Sequence, residues 1–159
     1  MRVPVPFSKI ARPFLAAVIS CALLAGCASL GGFDAARNYD KKYGLHVEHS
    51  KVNTFCLLPK LRYVLWKAEM RFGRPVVVTS GFRNPIHNYM VGGAWGSYHQ
   101  KCMAADIFIP GVSKSKLIAF MRSQSQVGGM GCYPGRKFIH VDVRRRPAGY
   151  KHPVQFKGC

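Results

Sequence analysis

The segment Lys137-Phe138-Ile139-His140-Val141-Asp142-Val143 constrains this chain more than any other. Its alternation is that of a half-buried strand, with Ile139, Val141 and Val143 facing a core while His140 and Asp142 share the opposite face. Any fold containing it presents an imidazole and a carboxylate together on one side of a sheet. Upstream, His99 and Asp106 are separated by six residues, and Ala104 and Ala105 are small enough to leave room beside the carboxylate. Two histidines and one aspartate suffice to hold zinc and leave a fourth position for water.

The surrounding pattern predicts a small α+β domain. Leu58, Leu61, Val64, Leu65, Ala68 and Phe72 recur at helical spacing up to Gly73, and Pro75 to Thr79 is a β-branched run that reads as a buried strand. Asn84 to Gly96, with three glycines and a proline, reads as loop. Ala104 to Ile109 is a second strand ended by Pro110-Gly111, and Ser113 caps a helix running through Met121. A third strand is expected around Tyr133 and the fourth is Lys137 to Val143. Residues 28–55 read as a tether followed by an irregular arm, and Arg144 to Cys159 as a basic, turn-rich tail. Helices then flank one small antiparallel sheet in a single domain, with no repeats.

The N-terminus decides the compartment. Arg2, Lys9 and Arg12 precede an apolar stretch of 14 residues, Pro13 to Gly26, which is short of the ~20 residues of a membrane span. It ends in Leu24-Ala25-Gly26-Cys27, which resembles a bacterial lipoprotein signal. That resemblance implies removal of residues 1–26, a lipid on Cys27 and, because Ala28 rather than Asp follows, a place on the outer membrane facing the periplasm. The formal charge of +18 would otherwise suggest nucleic acid, but an exported chain does not meet it. Without residues 1–26, which hold three basic residues and no acid, the charge is +15. Its anionic neighbours are then lipid headgroups and peptidoglycan carboxylates.

Cys56, Cys102, Cys132 and Cys159 remain after Cys21 and Cys27 are set aside, an even number suited to disulfides in an oxidising compartment. No two show the C-x₂₋₄-C spacing of a structural zinc site. Three pairings are open. Cys102 to Cys132 is expected because both flank the candidate ligands, which leaves Cys56 to Cys159 to tie the tail to the first helix.

Five segments together carry a family resemblance: Ser80-Gly81-Phe82-Arg83-Asn84, Val91-Gly92-Gly93-Ala94, Ser97-Tyr98-His99 through Ala105-Asp106, Gly128-Gly129-Met130-Gly131 and Phe138 to Asp142. In this order they resemble the zinc D-Ala-D-Ala carboxypeptidases and L,D- or D,D-endopeptidases of peptidoglycan, whose fold is shared with the hedgehog signalling domain. The resemblance implies a monomeric zinc peptidase of residues 56–159 acting on peptidoglycan peptides. It further implies His99, Asp106 and His140 as zinc ligands, Arg83 as a substrate-orienting or transition-state arginine, and Ser97 in the substrate cleft. Many members place a glutamate base three residues before the last ligand, where this chain has Lys137. A subgroup shares the His-x-Asp ending, so Asp142 is expected to act as general base or to orient the water. The departure at Lys137 leaves open a second function, a zinc-containing module that binds peptidoglycan without cleaving it. His46, Glu48 and His49 form a further possible metal cluster, and Tyr89, Trp95 and Tyr98 possible cleft aromatics.

Overall fold

The computed structural model describes residues 38–159; the signal segment, Cys27 and Asp34 lie outside the described residues. Seven strands form one sheet in the order β1-β2-β3-β4-β6-β5-β7. They are β1 (Asp40–Lys42), β2 (Leu45–Val47), β3 (Val77–Ser80), β4 (Ala104–Phe108), β5 (Gly129–Gly131), β6 (Ile139–Asp142) and β7 (Val154–Phe156). Among the described residues, three helices, α1 (Pro59–Phe72), α2 (Pro85–Met90) and α3 (Lys114–Ser123), and a 3₁₀ turn (Tyr98–Lys101) accompany the sheet in an α+β fold. None of the described helices is long and apolar enough to cross a membrane.

The periodicities explain the layers. Helix α1 starts on Pro59, whose missing N–H costs nothing at that position, and stops at Gly73 in the left-handed conformation (φ 61°). It buries Leu61, Val64, Leu65 and Ala68, and α3 buries Leu117 and Met121. These side chains share one core with Val76, Val78, Ala105, Ile107, Met130, Ile139 and Val141. Because strand residues alternate, Asp106, His140 and Asp142 point from the opposite face of the sheet. Helices α1 and α3 cover one face, and the polar groups gather on the other.

The sheet is mixed rather than antiparallel. β2 runs parallel to β3 because α1 carries the chain back across the sheet between them, and β5 runs parallel to β7. The segment expected to be an irregular arm therefore supplies β1 and β2, paired from Asp40↔Val47 to Lys42↔Leu45. Strands of three residues are too short for alternation to show in sequence. The same holds for β7 in the expected tail and for β5, which lies at Gly129–Gly131, just before Tyr133. Within the expected loop 84–96, Asn84 accepts a hydrogen bond from the His87 N–H at 2.7 Å and caps the short helix α2.

The disulfides are Cys56–Cys102 and Cys132–Cys159, not the expected pairs. The Leu58 N–H donates to the Cys102 carbonyl at 3.0 Å, which draws the start of α1 to the 3₁₀ turn. The Cys132 N–H donates to the Phe156 carbonyl at 3.3 Å, so pairing with β7 brings Cys159 to Cys132. Backbone pairings that no cysteine spacing reveals select the partners. Each bridge contributes ~2–4 kcal/mol.

Candidate metal centre

β4 and β6 pair antiparallel with Asp106 opposite His140, so their register alone sets two of the three candidate ligands side by side. The third comes from the 3₁₀ turn, where the Ser97 hydroxyl accepts from the His99 N–H at 3.3 Å and helps fix the backbone that carries the imidazole. His99, Asp106 and His140 are all buried. His99 Nε2 lies 3.0 Å from His140 Nδ1 and 3.2 Å from Asp106 Oδ1, and His140 Nδ1 lies 3.0 Å from Asp106 Oδ1. Two ligand atoms each ~2.05 Å from a tetrahedral centre would be roughly 3.3 Å apart, so this triangle fits one small divalent cation.

The outer nitrogens settle which ring atoms face that point. His99 Nδ1 lies 2.6 Å from the Gly81 carbonyl, which can only accept, so Nδ1 carries the proton and Nε2 keeps its lone pair. Gly81 itself is constrained, since a Cβ there would stand 2.2 Å from the Asn53 carbonyl oxygen. His140 Nε2 donates to Asp142 Oδ2 at 3.2 Å, which frees Nδ1. Each histidine is thus prepared as a neutral ligand by a second partner.

Arg83 lines the cleft and Asp142 does not. Arg83 donates from Nε to the Ser80 hydroxyl at 2.7 Å and from Nη2 to Asp106 Oδ2, so this arginine holds the ligand carboxylate from the cleft side. Asp142 is fully buried and is absent from the cleft wall. Its Oδ1 accepts from the Arg144 N–H at 3.1 Å and Nε at 2.7 Å, and its Oδ2 takes Arg144 Nη2 as well as His140. Burial raises its pKa, yet the bonds from His140 and Arg144 dominate and lower it. The expected base is therefore an ionised group behind His140, out of reach of a water in the cleft. Gly129 makes that arrangement possible: a Cβ on it would sit 2.4 Å from Asp142 Oδ2 and 2.6 Å from Arg144 Nε.

The cleft occupies about 1590 Å³, above the ~300–1,000 Å³ of ordinary small-ligand pockets, so it suits a piece of polymer. Ser97 and Tyr98 line it, and the Ser97 hydroxyl is engaged in the turn. Trp95 also lines it and is fully exposed, whereas Tyr89, exposed as well, is not on its wall. Glu48 and His49 line it without His46, and the described residues contain no second metal cluster at that place. Glu48 pairs with Lys137, and apart from Asp106 it is the only carboxylate on the wall among the described residues. Tyr133 is a wall residue that sequence reasoning missed. Burial and the nearby Asp106 charge raise its phenol pKa and keep it a hydrogen-bond donor.

A profile of the Peptidase M15 family matches residues 35–142. A peptidoglycan L,D-endopeptidase MepK from Escherichia coli K12 is 35% identical over 75 residues, which is 44% of this chain and 41% of that protein. The same protein of Escherichia coli O157:H7 and of Shigella flexneri matches to the same extent. The chain thus covers less than half the length of these curated relatives. The profile spans β1 to β6 and includes His99, Asp106 and His140, the three residues whose donor atoms converge. With most of its length matched and the buried His-Asp-His group inside the match, this chain belongs to the M15 family of peptidases.

Proposed function

We propose that the chain is a zinc-dependent peptidase that cleaves peptide bonds in peptidoglycan stem peptides or cross-links, as an endopeptidase rather than a carboxypeptidase. The observation that carries this reading is the triangle of His99 Nε2, Asp106 Oδ1 and His140 Nδ1, with each histidine held from behind by a fixed acceptor. The large cleft and the L,D-endopeptidase named among its relatives support internal cleavage. Zinc bound there would lower the pKa of its water to about 7 and polarise the scissile carbonyl. Arg83 keeps Asp106 aligned as a ligand. Arg136 and Lys137 on the cleft wall attract the carboxylates of a stem peptide. Glu48 is assigned as proton acceptor, because a carboxylate on the wall can take the water's proton and pass it to the leaving amine.

Incubating zinc-loaded full chain with purified muropeptides and reading product masses tests the function. Cleaved cross-links or shortened stems are expected. Zinc retention with peptidoglycan binding but no product would establish the non-catalytic binding module instead.

Asp142 is assigned as a positioning residue for His140. Asp142→Asn loses the ionised partner of Arg144 and of the imidazole, so zinc affinity should fall ~10–100-fold in a chelator competition. Unchanged affinity with a collapsed rate would return Asp142 to the role of base.

We further place the protein on the outer membrane, facing the periplasm, through a lipid on Cys27, on the strength of Leu24-Ala25-Gly26-Cys27. Cys27→Ser should lose fatty-acid labelling; retained label would refute the anchor.

A further inference from the structure

The helical layer carries a surface that peptide cleavage does not use. Opposite its buried side, α1 exposes Tyr63 (48%), Trp66 (52%) and Met70 (67%). At 3.6 residues per turn these three form one strip, and Lys60, Lys67 and Arg71 form a row along one flank of it. The Tyr63 and Trp66 rings stack with centroids 5.7 Å apart, and Lys67 Nζ lies 5.7 Å from the Tyr63 centroid. The single acid of α1, Glu69, is engaged, its Oε1 accepting from the Val76 N–H at 3.0 Å. Helix α3 contains no acid and adds exposed Lys116 and Arg122. The outward side of both helices is therefore aromatic and cationic.

We propose that this helical face is a docking surface for an anionic lipid bilayer, seating the domain with its cleft turned away from the membrane. Trp and Tyr favour the headgroup level of a bilayer, where the ring body is buried and the polar edge stays wet. Each Lys or Arg near an anionic surface raises partitioning about fivefold. A second copy of the chain is the poorer occupant, because an isologous pair would set Lys60, Lys67 and Arg71 against their own copies. The orientation follows from the sheet: the strip lies beyond the core on one face, and His99, Asp106 and His140 lie on the other. Docking leaves the cleft open to a polymer outside the membrane. This surface is independent of the peptidase reading.

The chain has two tryptophans, Trp66 on α1 and Trp95 on the cleft wall, so it carries its own reporters. Both are well exposed, and replacing either by Phe leaves the core intact. The full chain is reconstituted into phosphatidylglycerol–phosphatidylcholine vesicles containing a shallow nitroxide-labelled lipid. Trp66, read in Trp95→Phe, should be quenched several-fold more than Trp95, read in Trp66→Phe. That excess should vanish in pure phosphatidylcholine, in high salt, and on adding Lys60→Gln, Lys67→Gln and Arg71→Gln. Equal or stronger quenching of Trp95 would overturn the proposal, as would a Trp66 already shielded without vesicles in a chain that sediments as a dimer. Muropeptide cleavage is measured separately and enters neither outcome.

Discussion

His140→Ala should strip the site of metal and take peptidase activity to background. His140 Nδ1 is one corner of a triangle with edges of 3.0 to 3.2 Å, and its removal leaves one imidazole and one carboxylate, too few to retain zinc against solvent. The fold should survive, because Ile139 and Val141 on either side keep the strand in the core and β6 remains paired with both β4 and β5. A buried Asp142 deprived of its imidazole still has Arg144, which moderates the cost of leaving a charge inside. Metal analysis of the purified variant, alongside circular dichroism, checks the expectation. About one zinc per folded His140→Ala chain would remove the residue from the ligand set.

Glu48→Gln should lower turnover by ~10²–10⁴ while zinc stays bound. Gln keeps the size of the side chain but accepts no proton at neutral pH. Glu48 lies outside the ligand triangle, so metal content should not change. Nor should the fold, because the Glu48–Lys137 pair is partly exposed and such pairs are worth ~0–1 kcal/mol. Lys137 then has a role of its own: it pairs with a carboxylate supplied from the end of β2. A Glu48→Gln chain that cleaves muropeptides at the wild-type rate would end this assignment.

The meeting of Asp106 and His140 on one sheet face was legible in sequence because it depends on short-range rules. Strand alternation places His140 opposite the core-facing Ile139 and Val141, and the same rule places Asp106 between Ala105 and Ile107. The helical faces of α1 and α3 were legible for a similar reason, since 3.6-residue periodicity over ten or more positions is a strong signal. The three-residue strands β1, β2, β5 and β7 were not, because alternation cannot be recognised over so few residues.

Roles that depend on what lies across space were decided by tertiary structure alone. Asp142 shares a strand face with His140 in any reading, but only the approach of Gly129 on β5 and the folding back of Arg144 enclose its carboxylate and make it a support for His140. Glu48 gained its place on the cleft wall because α1 returns the chain so that β2 lies parallel to β3, which sets residue 48 beside Val78. The cysteines were chosen as a set by composition and compartment, and paired by the contacts of Leu58 with Cys102 and of Cys132 with Phe156. Residue type and strand period are local properties, so the atoms this protein can offer a metal are readable along the chain. Which charged groups support those atoms and which face the cleft depends on pairings between segments tens of residues apart, and these exist only once the chain is folded.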